Sequence, residues 1–333
     1  MKVAFFEVKD WEREYLTNQL NDVDVAFFSE KLSAENADMV KECEIISVFV
    51  DSQITKEVIE KLPNVKMIAT RSTGFDQIDM QACKERNITV CNVPSYGENT
   101  VAEHTFALIL ALSRKIYQSV DQVKEEGFTI SGLIGFDLKG KTIGIVGMGH
   151  IGQHVARIAK GFEMNVVAYD TKQDKKLAKK IGFTYVSLED LLKSSDIITL
   201  HLPYNEKTHH LVSASNINLI KKGAYIINTS RGGIIETAAL IEALGKGIIA
   251  GAGLDVLEEE CFIKEEAHLL SKDFSETCDI KTMLQNHILM DRKDVIITPH
   301  NAFNSKEALE RILETTVTNI ISFNKGRKVN MVS

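Results

Sequence analysis

The stretch KTIGIVGMGHIG, residues 141–152, decides the fold of this 333-residue chain. An apolar run (Ile143, Ile145, Val146) breaks into glycines at 147, 149 and 152 and then continues with the pattern of an amphipathic helix. A dinucleotide-binding turn requires that order: Gly147 permits the tight strand-to-helix turn, Gly149 lets the backbone approach a pyrophosphate, and Gly152 lets helix and strand pack closely. The phosphates then meet free N–H groups at the positive end of the helix dipole, where His150 and Ile151 open the helix. Glycine-rich turns end many strands, so context matters. Here a second apolar strand, NVVAYD at 165–170, closes on Asp170 about 20 residues further on. A carboxylate at that point accepts both hydroxyls of an adenosine ribose and repels a 2′-phosphate, which favours NAD over NADP.

Working outward, short apolar runs alternate with helical patterns along the whole chain, the signature of parallel α/β units. Strands are expected at 3–8, 23–28, 45–50, 65–69 and 88–93, with helices at 55–62 and 80–86 among them. A second series starts at 142 and continues through 166–169, 197–202, 224–228, 248–254 and 295–298. Two doubly wound parallel sheets fit this better than one very wide sheet. Residues 98–115 join them as a helix, with acidic residues in its first turns and Arg114-Lys115 at its end, matching the dipole at both termini. Its centre, 106–112, is apolar nearly all round, so it is expected to be covered on more than one side, between domains or against a second subunit. Residues 305–324 form a last helix with an apolar stripe that returns to the first domain. The expected division is 1–98 with 301–333 as one domain and 99–300 as the nucleotide-binding domain. The densest polar tract, 264–292, reads as a helical excursion.

Composition sets bounds. With 44% hydrophobic and 26% charged residues the chain is an ordinary globular protein, long enough for two domains. A net charge of −7 without a basic cluster argues against nucleic acid as a partner. No run approaches about 18 apolar residues, and the N-terminus carries acidic residues where a signal peptide needs an apolar core, so no membrane partner and a cytoplasmic location are expected. Five scattered cysteines with neither CxxC pairs nor zinc-type His spacing read as reduced, mostly buried thiols, and no metal site is expected.

Ligands of open α/β sheets bind at strand C-termini. Polar residues stand there after three runs: NTSRGG at 228–233, DVLEEE at 255–260, and TPH at 298–300. Arg231 in a Gly-rich turn suits bidentate recognition of a carboxylate, although the same residue type also caps helices at surfaces. His300, straight after proline, suits a general acid–base, but it is one of nine histidines. Glu260 closes a run of three glutamates, which by pattern alone is a solvated face.

Taken together, GMGHIG, AYD, NTSRGG, LDVLEEE and TPHNAF (298–303), with RSTGFDQID (71–79), VPSY (93–96) and VAEH (101–104), resemble the D-isomer-specific 2-hydroxyacid dehydrogenases, most closely the D-lactate dehydrogenase branch. The resemblance implies a flavodoxin-like substrate domain beside a Rossmann NAD-binding domain, with substrate in the cleft between them. It implies reduction of a small 2-oxo acid by NADH, pyruvate to D-lactate first. Bulkier branched or aromatic 2-oxo acids, or an NAD-sensing scaffold for protein partners, are the alternatives. By the same resemblance His300 is the acid in reduction, Glu260 holds and stabilises its imidazolium, and Arg231 grips the carboxylate and polarises the ketone. Backbone N–H groups around Thr73 and Gly74 complete the carboxylate site, while Tyr96, Phe303 and Phe49 line the pocket. Val101 contacts the nicotinamide ring, Asp255 its carboxamide region, and Pro203 and Thr229 the rest of the cofactor. A homodimer through the nucleotide-binding domains is implied. The chain departs from the family pattern at 261–293, which is longer than the lactate branch usually has.

Overall fold

The structure, a computed structural model, describes residues 1–259 and 279–332. They fall into two compact units, Met1–Gly97 with Asn304–Ser333, and Glu98–Phe303.

The first unit is built on five parallel strands, β1 (Lys2–Phe5), β2 (Asp24–Phe27), β3 (Ile45–Val48), β4 (Met67–Thr70) and β5 (Thr89–Cys91). Their order, β2-β1-β3-β4-β5, is that of flavodoxin-like sheets. β3 (IISV) and β4 (MIAT) are buried at every position because helices cover both faces, so they read as continuous apolar runs. Alternate residues face opposite sides. Val3 and Phe5 pack with Leu16 of α1 (Asp10–Gln19) and with Leu313, Val317 and Ile320 of the last helix, Lys306–Asn324. Ala4 and Phe6 pack with Val58 and Ile59 of α2 (Lys56–Glu60) and with Ala82 and Cys83 of α3 (Met80–Glu85). Thr55, Asp79 and Ser305 cap their helices by accepting the backbone N–H groups of Val58, Ala82 and Ala308, three residues on in each case. The helix α1 was not among the sequence expectations. Its ten residues, DWEREYLTNQ, bury only Glu12 and Leu16, too few to set a visible period.

The second unit begins with α4 (Glu98–Ser113) and α5 (Ile116–Glu125). Then come β6 (Thr142–Val146), α6 (His150–Gly161), β7 (Asn165–Tyr169), α7 (Lys175–Ile181), β8 (Thr184–Tyr185), α8 (Leu188–Ser194) and β9 (Ile197–Leu200). β10 (Ala224–Asn228), α9 (Thr237–Gly245), β11 (Ile249–Leu254), α10 (Ile280–Met290) and β12 (Val295–Ile297) complete it, and the last helix becomes α11. The order β12-β11-β10-β9-β6-β7-β8 is all parallel and reverses direction of growth between β6 and β9. That is the dinucleotide-fold order with one strand added, and ligands bind at such a switch point.

Two expectations change here. The expected helix 98–115 ends at Ser113, and Lys115 enters the left-handed region (φ 50) before α5 starts. The apolar centre of α4 needs no second subunit: Phe106, Leu108, Ile109 and Leu112 are buried in a cluster with Ile143, Ile145, Val155 and Ile227 of the same unit. The uncovered apolar surface lies just beyond. α5 buries none of its residues, and Ile116, Tyr117, Val120, Val123, Phe128, Ile130 and Ile134 are all exposed. Of the polar tract 264–292, α10 is helical and residues 264–278 lie outside the described residues.

Candidate active site

The glycine turn joins β6 to α6, and its glycines answer separate steric demands. Gly147 has φ +98, and a Cβ there would lie 2.3 Å from the carbonyl oxygen of His201. A Cβ on Gly152 would lie 2.1 Å from the carbonyl oxygen of Gly147. Gly149 caps α6 with nothing within 4 Å, so its backbone is open to a ligand at a helix N-terminus. On the neighbouring strand Asp170 is turned toward this loop, one oxygen accepting the Met148 N–H (2.8 Å) and the other the Lys172 N–H (2.8 Å). Open backbone donors beside a fixed carboxylate match the pyrophosphate and ribose of NAD, so the residues present fit that group. His150 stands at the start of α6 with Nδ1 3.3 Å from Glu98, and Ile151 beside it is half-buried. Pro203 is exposed after β9, and its carbonyl accepts the Thr208 hydroxyl.

Arg231 and His300 follow β10 and β12, the strands on either side of β11. Neighbouring strands lie about 4.8 Å apart, so the ends of β10 and β12 are roughly 10 Å from each other. The Arg231 loop is held from below. Asn228 donates to the Arg231 carbonyl (2.9 Å) and accepts the Ser230 N–H, the Ser230 hydroxyl donates to the Leu200 carbonyl, and the Arg231 guanidinium donates to the Ser230 carbonyl. A Cβ on Gly232 would collide with the Leu257 backbone, so only glycine follows Arg231 here.

His300 is exposed and sits at φ 50, a backbone conformation that a non-glycine residue holds only when its surroundings impose it. Asp255 imposes it. Its main-chain oxygen accepts the His300 N–H (2.9 Å), and its carboxylate accepts the Asn301 N–H (3.0 Å), the Ala302 N–H (2.9 Å) and the Thr298 hydroxyl (2.5 Å). Burial pushes this carboxyl up. The hydrogen bonds from His104, Thr298, Ala302 and Asn301 outweigh it and hold the group below the usual carboxylate range. Asp255 is 1% exposed, so the carboxylate expected at the carboxamide of the cofactor is engaged in the protein by the turn that carries His300.

The acidic run is not a plain solvated face. Glu258 accepts from His210 Nε2 (2.6 Å) and from the Thr237 hydroxyl (2.8 Å), while its carbonyl accepts from Asn286. Glu259 accepts the Asp279 N–H. Glu260, the expected partner of His300, lies outside the described residues, as does most of the unusual segment 261–293.

In the first unit Thr73 is exposed on the loop after β4, its hydroxyl donating to the Val93 carbonyl (2.8 Å), and the Gly74 carbonyl accepts from Ser72. Phe49 is half-buried beneath the Arg71 guanidinium, 5.8 Å from its ring centre, and the Tyr96 carbonyl accepts from Arg311. In the second unit Phe303 is half-buried just after the His300 turn.

The sequence pattern gave no role to Arg71, Glu7, His104 or His201. Arg71 is fully buried, donating to the carbonyls of Phe6 and Glu7, and burial lowers the pKa of its guanidinium. The Glu7 carboxylate accepts the N–H groups of Phe49 and Asp51 and the Ser52 hydroxyl. His201 lies under Gly147 with Nε2 2.9 Å from Thr199, and burial pushes its imidazole down to about 3. No periodicity announces such contacts. Nor does volume: an open depression of about 320 Å³ is lined by Glu98, His150, Gln153, His154 and Arg157, of which only His150 is a cofactor candidate. Among the described residues no group of three His, Cys, Asp or Glu could hold a metal ion, and no helix is long and apolar enough to cross a membrane. Cys43, Cys83 and Cys91 are free and buried, and burial pushes the thiols of Cys83 and Cys91 up to about 11.

Comparison with known proteins matches residues 106–302 to the D-isomer specific 2-hydroxyacid dehydrogenase, NAD binding domain. A 2-hydroxyacid dehydrogenase homolog of Zymomonas mobilis is 36% identical over 99% of this chain and 98% of its own. Among solved structures, the pyruvate reductase of Chlamydomonas reinhardtii superposes with a TM-score of 0.88 at 35% identity, covering 98% of this chain and 97% of that one. D-lactate dehydrogenase from Aquifex aeolicus, complexed with NAD and lactic acid, superposes with a TM-score of 0.86 at 38% identity over 99% and 98% of the two chains. A strand order built for a dinucleotide, an open glycine turn with its carboxylate, and full-length likeness to oxidoreductases lead to one conclusion: this chain is an NAD-dependent enzyme of the D-isomer-specific 2-hydroxyacid dehydrogenase family.

Proposed function

We propose that the enzyme reduces a small 2-oxo acid, pyruvate before others, to the D-2-hydroxy acid. The observation that carries this reading is the pair of buttressed turns at β10 and β12, one presenting Arg231 and the other His300. Bound NADH supplies the hydride for the keto carbon. Arg231 binds the substrate carboxylate by charge-assisted hydrogen bonds and favours negative charge developing on the ketone oxygen. His300 delivers a proton to that oxygen, so it must be protonated for reduction and neutral for oxidation. Glu260 stabilises its imidazolium, and Thr73 and Gly74 supply backbone donors to the carboxylate. Tyr96, Phe49 and Phe303 bound the pocket, and Val101, Pro203, Thr229 and Asp255 serve the cofactor side. Two solved relatives, a pyruvate reductase and a D-lactate dehydrogenase, support pyruvate over bulkier acids.

The test is NADH oxidation against pyruvate, glyoxylate, 2-oxoisocaproate and phenylpyruvate. Pyruvate should give the highest kcat/KM. A higher value for a branched or aromatic acid refutes the substrate assignment, and no turnover with any acid refutes catalysis in favour of an NAD-sensing scaffold. Arg231→Ala should raise KM and lower kcat together, whereas His300→Ala should lower kcat by about a hundredfold or more and leave NADH binding intact.

The same reading includes a cytoplasmic homodimer. α5 and the segment after it carry a series of exposed apolar side chains, with Phe128 at 99%, Ile130 at 86% and Ile134 at 88% exposure. A patch of that kind marks an association surface, and its place in the nucleotide-binding unit suits isologous pairing of two copies.

A further inference from the structure

We propose that His104 is a positioning residue for His300 and that, with its neighbour Thr105, it makes α4 the brace between the two turns that carry Arg231 and His300. The proposal rests on the roles given above to those two residues. Successive residues on a helix point about 100° apart, so one short segment of α4 can reach two loops. His104 Nε2 lies 3.1 Å from the Thr298 hydroxyl and 3.4 Å from the Asp255 carboxylate. The Thr298 hydroxyl already donates its proton to Asp255, so its oxygen accepts from His104, which fixes the imidazole proton on Nε2. His104 thus touches both side chains that shape the left-handed turn at His300. Next to it, the Thr105 hydroxyl donates to the Val101 carbonyl (2.8 Å) and lies 3.1 Å from the Thr229 hydroxyl, which therefore donates to it. Thr229 begins the turn that ends in Arg231.

The chemical consequence is alignment. His104 holds the Asp255 carboxylate in the orientation that receives the Asn301 and Ala302 N–H groups, and those bonds set where the His300 imidazole stands. Thr105 does the same for the Arg231 loop through Thr229. Neither side chain needs to touch substrate.

The experiment compares His104→Leu, His104→Gln and Thr105→Val in the full chain with NADH and pyruvate. His104→Leu should lower kcat about tenfold, with KM for pyruvate and Kd for NADH nearly unchanged, while His104→Gln, whose amide still donates, should recover most of the loss. Thr105→Val should instead raise KM for pyruvate about fivefold, because it loosens the carboxylate-binding loop. If His104→Leu does not fold, Thr298→Val against Thr298→Ser makes the same comparison. Amide hydrogen exchange at Asn301 and Ala302 reads the brace without any turnover and should be faster in His104→Leu and near the parent rate in His104→Gln. Unchanged exchange in His104→Leu, or equal loss of kcat in the Leu and Gln variants, overturns the brace. Failure of the parent protein to turn over any 2-oxo acid overturns only the reading beneath it, since the exchange measurement still stands or falls by itself.

Discussion

Gly152→Ala is the substitution that the geometry judges most sharply. The new methyl would lie 2.1 Å from the Gly147 carbonyl oxygen, 3.1 Å from its carbon and 3.4 Å from Ile145 Cγ2. An unstrained carbon–oxygen contact is about 3.3 Å, so α6 and the glycine turn must separate by roughly 1 Å, and both obstacles are backbone. Overpacking of this kind costs about 1–3 kcal/mol. If the turn takes up the displacement, NADH binding weakens by about 5- to 150-fold, since each 1.4 kcal/mol is tenfold. Two other glycines serve as controls. Gly161, in the last turn of α6, has nothing within 4 Å, so Gly161→Ala should leave binding unchanged and stability equal or slightly higher. Gly149 also meets nothing within 4 Å, so Gly149→Ala should fold almost normally and yet bind NADH less tightly, because the methyl stands where the phosphates approach. Fluorescence titration with NADH and thermal melts separate the cases. Gly152→Ala should lose on both measures, Gly149→Ala on binding alone, and Gly161→Ala on neither. Parent-like melting and binding in Gly152→Ala would refute the steric reasoning.

Three further outcomes are expected. Light scattering at micromolar concentration should give the parent protein about twice its 37.2 kDa chain mass, and Phe128→Asp with Ile134→Asp should return it to a single chain; burying each of those side chains contributes roughly 1.5–3 kcal/mol, and a monomeric parent would refute the dimer. By the roles proposed above, the Glu260 charge favours the protonated form of His300, so in Glu260→Gln the falling limb of reduction and the rising limb of oxidation should both move to lower pH in kcat/KM profiles; unmoved limbs would remove Glu260 from the site. His201 is buried neutral, with its pKa pushed down to about 3 from 6.5, so the unfolded chain takes up a proton below pH 6.5 that the folded chain refuses until about pH 3. Stability should therefore fall with pH through that window, on the order of 2–3 kcal/mol by about pH 4.5, and urea unfolding of His201→Asn at pH 7 and 4.5 should show a smaller fall.

Features that rest on neighbours along the chain were legible from the order of residues. The eleven expected strands at 3–8 through 295–298 correspond to β1–β7 and β9–β12, because parallel strands are short apolar runs, most plainly where both faces are buried as in β3, β4 and β9. Among the described strands only β8, two residues long, left no pattern. The glycine turn was legible for a similar reason: the positive φ of Gly147 and the crowding of Gly152 by the Gly147 carbonyl are local, although the oxygen that crowds Gly147 itself belongs to the distant His201. Arg231 and His300 were visible as polar residues at strand ends, although choosing them took five motifs in order. Tertiary structure alone decided the contacts between distant segments. Asp255 reads from sequence as a carboxylate facing the cofactor. Its fourfold engagement appears only once β11 and β12 are paired, since the N–H groups it accepts are 46 and 47 residues away. His104 meets Thr298 across 194 residues, and Arg71 reaches Phe6 across 65. The apolar centre of α4 read as a surface to be covered between domains or by a second subunit; it is covered by its own unit, and the exposed apolar series begins after Lys115 breaks the helix. Periodicity records that a face is apolar; which element covers it depends on strand order and crossover, and those are set by the whole chain's packing.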